Sequence, residues 1–225
     1  MPNPSASSNI SSSVGDYLKA IWILGGGKLV TTRALAEHLG ISPASVSGML
    51  GRLQETGLIL HERYRGVRLT QAGQSEALRL LRRHRLLETF MIEHLGYGWD
   101  EVHDEAESIE HAISDRFTER LAILLDRPSH DPHGDPIPNA DGTLPDTPNT
   151  PLAEVAIGET LEVARLLTQD ADLLTYLANL GISPGRHVEV VGREPLGGLV
   201  NVVISGQREV LSKELALLVR GAVMT

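Results

Sequence analysis

Seven of the chain's 12 prolines fall within residues 128–151, interleaved with Gly and Asp. Proline lacks a backbone N–H and disrupts both helix interiors and central strands, so no regular element can run through this stretch. It reads as a linker, and the 225 residues must fold as separate modules on its two sides. Hydrophobic residues at 41% and charged residues at 22% exclude collagen-like and fully disordered classes. The absence of cysteine excludes a disulfide scaffold and fits a reducing cytoplasm. No apolar run reaches the roughly 20 residues of a membrane helix. The opening MPNPSASSNISSS has neither the basic nor the apolar segment of a secretory signal.

Charge divides the chain unequally. Residues 1–90 carry a net +5 and residues 91–225 a net −14, and 17 of the 20 basic residues are Arg. A basic module that meets a polyanion, joined to an acidic one, is the expected reading.

The first segment, 10–73, reads helix, helix, turn, helix, hairpin. GDYLKAIWIL ends at Gly25-Gly26-Gly27, and two short helices break at Gly40. In SPASVSGMLGRL, Ser42 is placed to cap a helix whose first turn holds Pro43. Val46, Met49, Leu50 and Leu53 share an inner face. Ala44, Ser45, Ser47, Gly48, Gly51 and Arg52 make an outer face bare enough to approach a major groove. Arg63 and Arg65 tip the hairpin that follows, which completes a winged helix-turn-helix. Any three-helix unit needs one apolar and one polar face. What favours DNA is the Gly40 turn, the small-residue helix and the Arg-tipped hairpin in that order, with shape and phosphate contacts outweighing base readout.

The second segment, 71–127, is helical. Ala77, Leu80, Leu81, Leu87, Met91 and Leu95 recur at helical spacing, as do Val102, Ala106, Ile109, Ile113 and Phe117 after LGYGWD. On the second of these helices His103, Glu107, Glu110 and His111 fall on one stripe; on the first, His84 and Glu88 share a face. Facing each other, the two helices would gather three His and three Glu, which would repel unless a cation joined them. Imidazole and carboxylate without sulfur suit Mn²⁺ or Fe²⁺. The plainer alternatives are a hydrogen-bonded core histidine at 84 and a solvated acidic face at 103–111. His38, His61, His94 and His187 read as surface or structural, and His130 and His133 as adventitious ligands in the linker. A metal-dependent hydrolase has little support, because neither an HExxH pattern nor a nearby nucleophile is present. The last segment, 152–225, combines a short helix (DADLLTYLANLG) with β-rich runs (HVEVVGR, LVNVVISG), as in a small barrel-like module.

GDYLKAIW, GISPASVSGMLGRL, RYRGVRLT, RRHRLLE, VHDEAESIEH and HGDPIP, in this order, resemble the diphtheria toxin repressor family of metal-dependent transcriptional regulators over nearly the whole chain. The resemblance implies an α+β protein: a winged helix-turn-helix domain (1–73), a helical dimerisation domain (74–127), a Pro-rich linker (128–151) and a C-terminal SH3-like small β-barrel (152–225). It implies a primary metal site of Asp16, Glu107, Glu110 and His111 and an ancillary site of His84, Glu88 and His103. Iron-type members carry Met and Cys where this chain has Asp16 and Glu107. The carboxylate pair is the manganese-type choice, so Mn²⁺ is expected ahead of Fe²⁺.

The chain also departs from the family in two places. Lys19 stands where binuclear manganese members have a Glu, which argues against a close two-manganese cluster. Arg165 and Thr168 stand where iron-type members send C-terminal ligands, with Gln169 or Asp170 as substitutes after a shift. The implied function is a cytoplasmic, homodimeric, metal-activated repressor of metal-uptake genes that binds palindromic double-stranded DNA, with no enzymatic activity and no membrane partner. The alternative is a winged-helix regulator indifferent to metal.

Overall fold

A computed structural model describes residues 11–62, 65–195 and 198–224. They fall into two compact units: the N-terminal part of the chain to Arg83 with Ala140–Gly142, and His84–Asn139 with Thr143 onward.

The first unit opens with α1 (Ser12–Gly25), whose Tyr17, Leu18 and Ile21 turn inward. It stops where Gly26 takes a left-handed φ of 52° and its N–H donates to the Trp22 carbonyl. α2 (Thr32–Leu39) and α3 (Pro43–Glu55) start on side-chain caps: Thr31 accepts from Ala34 N–H, and Ser42 from Ser45 N–H. Between them Gly40, at φ 66°, makes the turn. β1 (Ile59–Glu62) and β2 (Gly66–Leu69) pair antiparallel, Ile59 opposite Leu69. Val30 exchanges hydrogen bonds with Val67 at 2.8 Å and so ties the hairpin back to the helices. Leu35, Val46, Leu50 and Leu53 close the core. This is the winged helix-turn-helix expected from the pattern.

α4 (Gln71–Phe90) runs from the first unit into the second. It ends in a π-helical turn, Met91–Leu95. The wider turn breaks the 3.6-residue register, so Leu95 is swung out (57% exposed) instead of continuing the apolar stripe. The helix expected through residues 102–117 is in fact two, α5 (Val102–Ile109) and α6 (Asp115–Leu124). Ser114 caps the second by accepting from Phe117 N–H at 3.2 Å, and the break leaves Phe117 exposed. The proline-rich stretch is no solvated tether in its first half, where Asp131, His133, Asp135 and Ile137 are buried.

The C-terminal part holds β3 (Thr150–Pro151), β4 (Thr160–Leu166), α7 (Ala171–Asn179), β5 (His187–Arg193), β6 (Val200–Ile204), β7 (Gln207–Leu211), α8 (Lys213–Leu218) and β8 (Val219–Met224). Leu161, Val163, Val188, Val190 and Val202 alternate inward to form its core. All pairings are antiparallel, in the order β3-β8-β4-β5-β6-β7. The expected barrel is therefore corrected to an open sheet. β3 and β7 are its two edge strands, and among the described residues they do not pair with each other. No described helix is long and apolar enough to cross a membrane.

Candidate metal centre and nucleic-acid interface

The metal donors of the second unit start from helical spacing. His84 and Glu88 lie one turn apart on α4; His103 and Glu107 do the same on α5. Glu110 is the C-cap of α5 and keeps helical dihedrals, so it stays on the same stripe. Packing brings the stripes together. His84 Nδ1 lies 2.6 Å from Glu110 Oε2, and His84 Nε2 lies 3.0 Å from Glu88 Oε1. His103 Nδ1 is 3.2 Å from His84 Nε2 and 3.3 Å from Glu88 Oε1, while its Nε2 is 3.8 Å from Glu107 Oε1. His111 Nε2 is 3.6 Å from Glu110 Oε1. His84, Glu88 and His103 thus meet as expected, and His84 also faces Glu107 and Glu110, so the two expected sets share a member. Asp16, half-buried on α1, belongs to the first unit, as does the buried Lys19.

One donor, Asp131, is absent from the sequence reading, and another, His133, figures there only as an adventitious ligand in the linker. Asp131 and His133 stand beside Glu88, their ligand atoms within 4.8 Å of one another and all three side chains buried. The turn that carries them is closed on itself. Asp131 Oδ1 accepts from His133 N–H and Asp135 N–H, each at 2.9 Å. Asp131 Oδ2 and both ring nitrogens of His133 make no hydrogen bond among the described residues, although buried. Such atoms are costly unless something else satisfies them. The signal in the sequence was DPHGDP, where three potential donors alternate inside a proline-stiffened turn. His130 is different, since its nitrogens meet Ser129 Oγ at 2.9 Å and Thr147 Oγ1 at 2.7 Å.

The charge states suit ligation. Burial opposes ionisation of Glu88, but His84 beside it and hydrogen bonds with His103 and His84 outweigh this and hold its carboxyl far below the usual range. Burial pushes the His133 imidazole down, which keeps it neutral as a ligand must be. Burial, with Asp135 and Glu88 adding, pushes the Asp131 carboxyl up against the pull of Arg85. A divalent cation would relieve this crowding, and donors of N and O alone fit Mn²⁺ or Fe²⁺.

On the first unit, Ser42, Ala44, Ser45, Ser47, Gly48, Gly51 and Arg52 are all exposed along α3. Ser42 Oγ lies 2.9 Å from Ser45 Oγ, and Ser47 donates to the Pro43 carbonyl at 2.9 Å, so the face is small and internally satisfied. Arg65 pairs with Glu62 at 2.8 Å on the wing, an exposed pair that a phosphate can replace. Arg63 lies outside the described residues. Arg68, exposed on β2, adds a cation that the sequence reading passed over.

The chain matches three family models: an iron-dependent repressor N-terminal DNA-binding domain over residues 9–67, an iron-dependent repressor metal-binding and dimerisation domain over 70–139, and a FeoA domain over 150–221. It is 34% identical over 207 residues to the iron-dependent repressor IdeR of Mycobacterium tuberculosis, covering 86% of this chain and 89% of that one. It is 30% identical to the diphtheria toxin repressor of Corynebacterium diphtheriae, covering 91% and 94%. Among solved structures, a manganese-dependent transcriptional repressor in complex with manganese aligns with TM-score 0.87 and 41% identity, over 94% of this chain and all of that one. ScaR with bound Zn²⁺ aligns with TM-score 0.80 and 34% identity, over 94% and 98%.

Proposed function

This chain belongs to the iron-dependent repressor family, the metal-dependent transcriptional repressors of the diphtheria toxin repressor type, and on that premise we propose that Mn²⁺ is its signal, with Fe²⁺ the other ion its donors accept. One ion is held by Asp16, Glu107, Glu110 and His111, with His84 at its edge. A second is held by Glu88, Asp131 and His133. The observation that carries the reading is the buried donor set, in which Asp131 Oδ2 and both His133 ring nitrogens make no hydrogen bond among the described residues. This assignment prefers Asp131 and His133 to the pair His84 and His103, because the latter already hydrogen-bond with Glu110 and Glu88.

Bound there, an ion supplies the positive charge that lets the carboxylates stay together. The family resemblance adds Asp16 of α1 to the 107–111 donors, and an ion shared by them favours the DNA-competent arrangement. In a homodimer this fixes two α3 helices at about 34 Å, one turn of a palindromic operator. The ion acts only by its better binding to that arrangement. α6 offers Phe117, Ile123 and Leu124 as an exposed apolar face for the second copy. The output is occupancy of operator DNA in the cytoplasm and repression of metal uptake, not turnover.

Chelator-stripped protein titrated with Mn²⁺, with free Mn²⁺ followed by its paramagnetic resonance, is expected to take up two ions per chain. Asp16→Ala is expected to retain the buried ion and to weaken the other. Selection from random duplex DNA should enrich a palindrome with Mn²⁺ and not with chelator. Equal enrichment in chelator would leave a winged-helix regulator indifferent to metal.

A further inference from the structure

The turn that presents Asp131 and His133 is fastened to the C-terminal sheet. Leu166 N–H, at the end of β4, donates to the His133 carbonyl at 2.9 Å. At Gly134, φ is 86° and a Cβ would collide with the Ala164 carbonyl, so only glycine allows this approach. β4 is irregular here, its register against β8 shifting between Val163 and Arg165. Arg165 Nε bonds Asp135 Oδ1, and Gln169 Nε2 donates to Asp135 Oδ2 at 3.3 Å. From the other side Arg85 of α4 lies 3.4 Å from Asp135 and 3.6 Å from Asp131, and bonds the Pro136 carbonyl. Trp99 packs on the sheet core and sets its edge against the His133 ring, centroids 4.8 Å apart.

We propose that Arg165 and Asp135 are positioning residues through which the C-terminal domain sets the affinity of the second metal site, without donating a ligand to it. Arg165 and Gln169 hold Asp135, Asp135 shares Arg85 with Asp131, and the turn is thereby held with Asp131 Oδ2 and the His133 ring beside Glu88. Loading this site joins α4 to the C-terminal sheet, so ion binding and docking of that domain reinforce each other. The proposal rests on the reading of Glu88, Asp131 and His133 as a metal site.

Its sign is diagnostic. Removing the Arg165 charge would by Coulomb's law alone favour a nearby cation. Losing a positioning residue weakens binding instead, by about tenfold or more where an outer-shell partner is removed.

The test uses the full chain carrying Trp22→Phe, which leaves Trp99 as the sole tryptophan of the two. Mn²⁺ uptake is counted by paramagnetic resonance while Trp99 quenching reports ions arriving at His133. The expected result is two uptake steps in the parent, one of them quenching Trp99. Arg165→Ala should weaken the quenching step about tenfold and leave the other unchanged, with Arg165→Lys restoring part of the loss. Gln169→Ala, on an exposed residue that the fold tolerates, should shift the same step in the same direction by less. Two steps with the quenching step unchanged or tighter in Arg165→Ala and Gln169→Ala would overturn the positioning role while leaving the metal site in place. A parent with no quenching step would overturn the metal reading itself, and the proposal with it.

Discussion

The two donor groups of the second unit differ in where they come from and in how wet they are. Glu107, Glu110 and His111 belong to one short stretch around the end of α5, with Glu107 36% and His111 21% exposed at the side chain. Glu88 joins Asp131 and His133 from a turn far along the chain, with Glu88 and Asp131 side chains 1% exposed and His133 fully buried. A group with a solvent edge exchanges its ion with the cell readily, which suits the sensing step. A fully enclosed group exchanges slowly and suits a fastener between domains. Under the proposed assignment, burial would divide the same ion chemistry between signal and brace.

The contrast breaks hardest at Glu110. Glu110→Ala removes a ligand of the wetter group and is expected to lower Mn²⁺ affinity there by about 100-fold or more, given that even outer-shell losses reach that size. It also strips the buried His84 of a partner at 2.6 Å. Removing one side of such a pair costs about 3 kcal/mol, readable as a lower midpoint of urea unfolding in chelator. The Trp99-quenching uptake step should survive. Its loss together with the first would show one cooperative cluster in place of two groups.

His133→Leu sharpens the comparison from the other side. The substitution replaces ring nitrogens that have no hydrogen bond in a dry site. Relief of unsatisfied polar atoms should stabilise the metal-free protein by about 1 kcal/mol. The same variant should lose the second uptake step and the matching Mn²⁺-dependent stabilisation, which for an ion at 100 times its Kd is about 2.7 kcal/mol and is read as a rise in Tm. A variant that is less stable without metal and still takes up two ions would mark His133 as a core histidine.

Acidity gives the smallest effect. Burial, with Asp135 and Glu88 adding, raises the Asp131 carboxyl, so it holds a proton at pH values above the usual carboxylate range. An ion must displace that proton. Affinity at the buried group should therefore rise with pH until the raised value is passed and then level off, by at most about tenfold per pH unit for one proton. Burial lowers His133, so the ring is neutral at pH 7 and any proton it releases is confined below the usual imidazole range. Calorimetry in two buffers of different ionisation enthalpy would detect the released proton. No release would place Asp131 outside the ligand set.

Local rules made much of this protein readable. Gly26 and Gly40 end helices, Ser42 and Pro43 start one, and the alternation in β4 and β6 follows from pleating. The stripe His103, Glu107, Glu110 and its neighbour pair His84 and Glu88 were legible because helical spacing alone puts them on one face. The π turn that swings Leu95 out and the Ser114 cap that exposes Phe117 are also local, but a uniform helical period passes over both. The sheet order that leaves β7 at an edge depends on pairing between distant segments.

The sequence by itself determined the winged helix and the acidic helices, since each is set by spacing within a few residues; Asp16 and Glu107 read as a manganese-type pair only through the family resemblance. Only the tertiary structure decided that a proline-rich stretch folds in beside Glu88 and buries Asp131 and His133 there. There the physical cause is packing: Gly134 lets the turn approach β4, Arg165 and Arg85 hold Asp135 from two sides, and the burial that results leaves Asp131 Oδ2 and the His133 ring without a hydrogen bond among the described residues.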